Sequence, residues 1–174
     1  MTAADHPGIV GNASLAWPDE DATTAFAARL AAAPELRNAF IALHGDLGAG
    51  KTTFVRHLLR ALGVQGRIKS PTYAVVEPHE AVSAEGAWPA WHFDFYRFDD
   101  PREWEDAGFR DIFAASGLKI AEWPEKAAGA LPPPDLDIHI TSDADETRQV
   151  RLTAHSSRGV ALLRQAASPQ ENRP

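Results

Sequence analysis

The sequence predicts an α/β sandwich with a largely parallel central sheet and antiparallel edge strands. The first observation is the order of segments around residue 45. The short apolar run "AFIAL" is followed by the glycine-rich "HGDLGAG" and then by "KTTFVRHLLRAL", which has the spacing of an amphipathic helix. The second observation is that apolar runs and amphipathic segments alternate along the chain. This alternation is typical of parallel sheets that are covered by helices.

The segments before the glycine-rich stretch predict one strand and one helix. "IVGNASLAW" has the apolar content of a strand. "DEDATTAFAARLAAA" places Ala22, Ala25, Phe26, Leu30 and Ala33 on one helical face, and three acids crowd its first turn. We therefore expect a helix between the first strand and "AFIAL".

The segments after the glycine-rich stretch complete the predicted sheet. Strands are expected at "YAVVE", "AWHFDFYRF" and "GLKIAEW", with a break at "EGAWP" and a pair of short helices in "DDPREWEDAGFRDIFAA". "LPPPDLDIHIT" and "RQVRLTAHS" flank the polar turn "SDADET" and predict an antiparallel hairpin at the edge of the sheet. "SRGVALLRQAA" predicts a closing helix.

Length and composition predict one globular domain. The 174 residues are 44% hydrophobic and 24% charged and contain no cysteine, which excludes a disulfide scaffold. We expect a single domain over residues 1–160. Residues 161–174 are expected to form the end of the closing helix and a disordered polar tail. The start "MTAADHPGIV" lacks the pattern of a signal peptide and no segment has the length of a membrane span, so we expect a cytoplasmic protein.

The net charge of −7 bears on the class of partner. Nucleic-acid binding draws most of its affinity from basic residues that neutralise phosphates, and an acidic surface opposes it. The segment "GRIKS" carries two cations and is either a local basic patch or a solvated loop. The charge therefore favours protein partners over direct RNA binding.

The glycine-rich stretch predicts a phosphate-binding loop. Gly45, four residues, Gly50, Lys51 and Thr52 fit the pattern in which backbone N–H groups surround a polyphosphate. The alternative is an ordinary turn between a strand and a helix. In the functional interpretation, Lys51 contacts the β- and γ-phosphates of a nucleotide, and the Thr52 hydroxyl is a ligand of Mg²⁺.

Two carboxylates are candidates to complete the magnesium site. Asp94 lies in "WHFDFYR" and Glu122 ends the apolar run "LKIAE". The carboxyl ends of parallel strands meet at one edge of a sheet, so one acid could hold Mg²⁺ while the other orients water. The alternative for each acid is a solvated surface charge. His92 is either a general base or a hydrogen-bonded packing residue.

The ordered blocks "GDLGAGKTT", "SPTY", "HFDFYR", "DPREWEDAG" and "EWPE" resemble the bacterial TsaE family, also called YjeE. Members of this family are the ATPases of the pathway that installs threonylcarbamoyl on adenosine next to the anticodon of certain tRNAs. The resemblance spans roughly residues 15–155. It implies a P-loop NTPase fold that binds and hydrolyses ATP with Mg²⁺. The sequence departs from the family pattern at Phe95, where leucine is frequent, and in the segment "AVSAEGAWPA".

The resemblance also implies roles for individual residues. Ser70 and Thr72 match a switch-like loop near the γ-phosphate, and Glu20 matches a segment near the adenine. Glu122 resembles the family's second Mg²⁺ ligand, beside Asp94 and Thr52, and Lys51, Asp94 and Glu122 are the implied catalytic residues. The residues that match the family's phosphate loop are Asp46, Gly48, Ala49, Gly50, Lys51, Thr52 and Thr53.

The resemblance implies partners as well. Proteins of this family act on a complex of TsaB and TsaD, so contact with tRNA is expected only through that complex. Turnover is expected to be slow in the isolated chain and stimulated by these partners. Two alternatives are a small-molecule kinase and a GTP-dependent switch. The guanine-reading pattern "NKxD" is absent, since the asparagines at 12, 38 and 172 are not followed by lysine.

Overall fold

The computed structural model of the chain describes residues 8–71, 75–100, 102 and 108–168. The helices are Glu20–Ala31 (α1), Lys51–Ala61 (α2), Phe109–Ala114 (α3) and Ser157–Ala167 (α4), with 3₁₀ turns at Pro34–Asn38 and Pro124–Ala127. The strands are Gly11–Trp17 (β1), Phe40–His44 (β2), Val76–Ser83 (β3), Gly86–Asp94 (β4), Leu118–Glu122 (β5), Leu136–Ser142 (β6) and Arg148–Ala154 (β7).

The seven strands form one mixed sheet in the order β1-β7-β6-β2-β5-β4-β3. The four central strands, β6, β2, β5 and β4, are mutually parallel. The outer pairs β1–β7, β7–β6 and β4–β3 are antiparallel. The predicted α/β class, with a parallel centre and antiparallel margins, is therefore confirmed.

Each face of the sheet is covered by helices, which gives three layers. Helices α1, α2 and α4 bury apolar side chains on one face, where Trp17, Phe26 and Phe54 pack with ring centroids 5.1 to 5.7 Å apart. Helix α3 and the second 3₁₀ turn cover part of the opposite face, where Phe93 and Phe109 are central. Across the described part of the chain, none of the helices combines the length and apolar composition needed to cross a bilayer.

Three expectations about the strands are wrong in position. Strand β3 runs from Val76 to Ser83, well beyond Glu77, where the expected strand "YAVVE" ends. The break expected at "EGAWP" is only a tight turn at residues 84–85, because residues 86–89 already belong to β4 and pair with β3. The hairpin of β6 and β7 forms but is not at the edge, because β1 pairs with β7 on its outer side. The first of the two short helices expected around residues 99–115 lies outside the described residues in part, and the second is α3.

Helix α1 begins where the acids of its first turn predict. The Asp19 carboxylate accepts a hydrogen bond from the Ala22 amide at 2.9 Å and so caps an otherwise unpaired backbone donor. Helix α1 then packs Phe26 and Leu30 against the sheet. The cap thereby fixes the start of a helix that contributes to the larger core.

We expect Asp19→Ala to lower the free energy of unfolding by about 1 kcal/mol, because the Ala22 amide loses the carboxylate that caps it. Urea unfolding of the purified chain measures this loss. Asp21→Ala is the matched control, since Asp21 is an exposed acid of the same turn. Equal losses in the two variants would show that the cap has no specific contribution.

Candidate functional site

The glycine-rich loop connects the end of β2 to the start of α2. Gly50 directly precedes α2 with a φ of 107°, a left-handed conformation that favours glycine. A Cβ on Gly45 would lie 2.6 Å from the carbonyl oxygen of Ile140, so the loop starts in close contact with β6. The loop therefore adopts a conformation that side chains at these two positions would prevent.

Lys51 is the first residue of α2 and is only 5% exposed. Its ammonium donates to the carbonyl oxygen of Gly45 and, at 3.3 Å, to that of Asp46. It also lies 3.8 Å from the ring centre of Trp123, a cation–π contact. Burial lowers the pKa of Lys51, and nearby carboxylates, chiefly Glu122, oppose this effect. The lysine is thus held against the loop by partners that a bound anion could replace.

Thr52 and Glu122 meet beside the loop. The Thr52 hydroxyl donates to Glu122 Oε1 at 2.9 Å, and His92 Nε2 lies 2.5 Å from Glu122 Oε2. Glu122 and His92 are both almost fully buried. His92 therefore orients the Glu122 carboxylate through the oxygen that Thr52 does not contact. This arrangement favours a hydrogen-bonded packing role for His92 over a role as general base.

Asp94 and Glu122 end adjacent parallel strands and are register partners in the pairing of β4 with β5. Burial is the main cause that raises the pKa of Asp94, and the charge of Glu122 adds to it. The Tyr96 amide, which donates to Asp94 Oδ1 at 3.0 Å, partly offsets the increase. The two acids predicted from the sequence are thus brought together at one edge of the sheet.

The raised pKa of Asp94 predicts that the free energy of unfolding depends on pH. A carboxyl whose pKa rises on folding binds its proton more tightly in the folded state, so stability falls as pH rises between the unfolded and folded pKa values. Above this interval the full cost of burying the charge is present. We therefore expect Asp94→Asn to be more stable than the parent chain at pH 8, by no more than about 1 kcal/mol because the side chain stays half-exposed.

Denaturant unfolding in buffer without nucleotide or Mg²⁺ tests this expectation. The gain in Asp94→Asn should shrink as the pH falls through the raised pKa. Asp111→Asn removes an exposed acid on α3 and should show no such trend. An Asp94→Asn variant that is no more stable than the parent at pH 8 would contradict the account.

Two adjoining cavities open on the loop. The first, of about 280 Å³, is called the loop cavity and the second, of about 360 Å³, the α1 cavity. The loop cavity is lined by Leu47, Gly48, Ala49, Gly50, Lys51, Thr52, Thr53, Asp94, Tyr96, Glu122, Trp123 and Arg148. The α1 cavity is lined by Trp17, Pro18, Asp19, Glu20, Thr23, Ala49, Gly50, Thr53, Glu146 and Arg148.

Most of the residues predicted for the site line one of these cavities. Glu20, at the start of α1, reaches the α1 cavity and also lies 2.8 Å from His57 Nε2. Asp46 contributes its backbone carbonyl, which accepts from Lys51. Ser70 is not among the residues that line either cavity, and Thr72 lies outside the described residues. The roles of Ser70 and Thr72 stay predictions.

The comparison with protein families bears directly on this site. The family described as threonylcarbamoyl adenosine biosynthesis protein TsaE has a model that matches residues 17–150, which include both cavities and all seven predicted loop residues. The chain belongs to the TsaE family.

Individual relatives agree with this membership. The TsaE protein of Haemophilus influenzae is 41% identical over 121 residues, which cover 70% of this chain and 73% of the relative. The TsaE protein of Bacillus subtilis is 34% identical over 131 residues, which cover 75% and 79%. Both are named tRNA threonylcarbamoyladenosine biosynthesis proteins. The crystal structure of Bacillus subtilis YdiB superimposes with a TM-score of 0.72 at 28% identity and covers 91% of this chain and 96% of YdiB.

The structure adds cavity residues to those predicted for this TsaE-family chain. Arg148 of β7 lines both cavities, and its Nε would lie 3.9 Å from a Cβ on Gly50. Tyr96 and Trp123 pack together, with ring centroids 5.0 Å apart, at the rim of the loop cavity. Trp123 has a φ of 55°, which is uncommon for a bulky residue. This backbone conformation is not visible in the sequence.

Proposed function

We propose that this chain is the Mg²⁺-dependent, ATP-binding and ATP-hydrolysing subunit that supports threonylcarbamoyl transfer to tRNA in the cytoplasm. The observation that carries the proposal is the 2.9 Å hydrogen bond from the Thr52 hydroxyl to the buried Glu122 carboxylate. It brings together two oxygen ligands at the end of a glycine-rich loop. Oxygen ligands beside a phosphate site are the usual environment of Mg²⁺.

The proposed position of the nucleotide follows from the loop and the two cavities. The β- and γ-phosphates would lie in the loop cavity, where the free backbone amides at the start of α2 and the Lys51 ammonium favour an anion. The nucleoside lies in the α1 cavity beside Glu20. Gly50 and Thr53 line both cavities, so a single nucleotide can extend from one to the other.

The residues around the loop cavity fit a magnesium ion. Thr52 and Glu122 would hold it, with Asp94 at the adjacent strand end either as a further ligand through water or as the group that orients the attacking water. Mg²⁺ held there would neutralise charge on the phosphate oxygens during ATP hydrolysis. His92 holds the Glu122 carboxylate in place, and Lys51 stabilises the charge that develops on the phosphates.

The proposed partners are the proteins TsaB and TsaD. Membership in the TsaE family supports this proposal, and relatives are named for the biosynthesis of the same modification. The net charge of −7 also favours a protein partner, because such a surface opposes direct association with RNA. We therefore propose that the chain contacts tRNA only through the complex.

A reconstituted transfer reaction tests the pathway role. TsaB, TsaD, tRNA and the threonylcarbamoyl donor are incubated with or without the chain and ATP, and modified adenosine is counted per TsaD molecule. We expect repeated turnover only when both the chain and ATP are present, and we expect Thr52→Val to abolish this support. Equal product with and without the chain would contradict the proposal.

A further inference from the structure

We propose that His44, Asp137 and His139 form a second metal site, which binds a divalent transition metal of the Zn²⁺ class. Each residue offers one ligand atom, and these three atoms all lie within 4.8 Å of one another. The group shares no residue with the loop cavity or with the α1 cavity. It is therefore distinct from the magnesium site of the proposed function.

The strand register brings the three side chains together. His44 ends β2 and is the register partner of His139 on β6, while Asp137 precedes His139 by two residues and so projects from the same face. Leu136, Ile138 and Ile140, which alternate with them, are buried in the core on the opposite face. The cluster consequently follows from the sheet itself and does not depend on a mobile loop.

Outer partners already orient two of the proposed ligands. His155 Nε2 lies 2.6 Å from Asp137 Oδ2, while Asp137 Oδ1 lies 2.6 Å from His44 Nε2. The other ring nitrogen of His44 faces Glu125 Oε2 at 3.7 Å. A carboxylate beside the distal nitrogen of a histidine, and a hydrogen bond to the distal oxygen of a carboxylate, are typical supports of metal ligands.

The protonation states also suit a metal ligand set. Burial, aided by the charge of His44, lowers the pKa of His139 and so favours the neutral imidazole that coordinates metals. Burial alone would raise the pKa of Asp137, but hydrogen bonds and charges from His44 and His155 outweigh it and lower the pKa. The carboxylate is therefore ionised near neutral pH.

Coordination requires a modest rearrangement of side chains. The His44 and His139 rings stack with centroids 4.2 Å apart and an interplanar angle of 9°. Ligand atoms in a tetrahedral zinc site are separated by about 3.3 Å, so the rings must tilt toward each other, and the ion must displace the proton between His44 and Asp137. All three residues are half-buried, which leaves room for this tilt and for water as a fourth ligand.

The ligand types distinguish this site from the proposed magnesium site. Two imidazoles and one carboxylate favour Zn²⁺ and other transition metals, whereas Mg²⁺ prefers oxygen ligands such as those of Thr52 and Glu122. His44 directly precedes Gly45, so a bound ion would connect the start of the glycine-rich loop to β6.

Metal titration of the full chain, first stripped of metal and free of nucleotide, tests the proposal. Zn²⁺ is titrated against a chromophoric chelator, and Co²⁺ absorption reports the coordination. We expect the parent chain to bind one Zn²⁺. The affinity for Zn²⁺ should be at least 100-fold weaker in His139→Asn and about 10- to 100-fold weaker in His155→Asn. His79→Asn, on strand β3 at the far edge of the sheet, is the control and should bind as the parent does.

Two further variants keep the result interpretable. If His139→Asn does not fold, as judged by circular dichroism, the near-isosteric Asp137→Asn replaces it with the same expected loss. Glu122→Gln should retain full Zn²⁺ affinity, since it lies outside the cluster. Absence of stoichiometric binding, unchanged affinity in a folded cluster variant, or loss of Zn²⁺ binding in Glu122→Gln would each overturn the proposal.

Discussion

Lys51→Ala is expected to lower the rate of ATP hydrolysis by at least about 100-fold and to leave the chain folded. In the proposed mechanism the ammonium stabilises charge that develops on the β- and γ-phosphates, and removal of one such preorganised donor costs a factor of roughly 10² to 10³. The fold should tolerate the change because burial of this charge is unfavourable, as its lowered pKa indicates. Phosphate release under saturating ATP and Mg²⁺ measures the effect.

The matched control for this variant is Lys126→Ala. Lys126 is an exposed lysine of the 3₁₀ turn Pro124–Ala127 and lines neither cavity. Its removal subtracts the same charge from the whole chain and should leave hydrolysis unchanged. A folded Lys51→Ala variant with the turnover of the parent chain would remove the glycine-rich loop from the proposed phosphate site.

Glu122→Gln is expected to lower the rate of ATP hydrolysis by about 100-fold, as for Lys51→Ala. Unlike Lys51→Ala, it should also weaken the effect of Mg²⁺ on nucleotide binding. The substitution keeps the volume of a fully buried side chain and can retain the contact with Thr52, while it removes the negative charge that would hold the cation. Nucleotide affinity measured by calorimetry across a Mg²⁺ titration separates loss of the metal ligand from loss of the phosphate contact.

Glu80→Gln serves as the control because Glu80 is an exposed acid on β3. Asp94→Asn should also lower turnover, with a weaker effect on Mg²⁺ dependence if Asp94 acts through water. A Glu122→Gln variant whose Mg²⁺ titration and turnover both match those of the parent would exclude Glu122 from the site.

The central part of the fold was predictable because its elements carry strong local signals. The apolar spacing in "KTTFVRHLLRAL" predicted helix α2, and Phe54 and Leu58 are buried as expected. The sequence does not predict the hairpin of β3 and β4, because "EGAWP" (residues 85–89) has the composition of a break, whereas residues 86–89 are the start of β4. Pro89 is tolerated in β4, and its register partner there is Glu80.

The sequence also identifies Lys51 and the two acids of the site, but not Arg148 or Tyr96. Asp94 and Glu122 each follow an apolar run, so the rule that parallel strands end at one edge was sufficient. Arg148 comes from β7, more than 90 residues beyond the loop, and only the pairing of β1, β7 and β6 brings it to the cavities. No periodicity in the sequence reports such a long-range contact.

Phosphate release in the presence and absence of TsaB and TsaD is the most direct test of the proposed function. The isolated chain offers a glycine-rich loop, a lysine and two acids, and we expect its turnover to be slow. The rate should rise at least about tenfold when the partners bind, because a charge supplied in trans can accelerate related enzymes by roughly 10³ to 10⁵. Lys51→Ala should remain inactive in both conditions. Equal rates with and without the partners, at concentrations where the complex forms, would contradict partner activation, and no ATP hydrolysis in either condition would contradict the proposed activity itself.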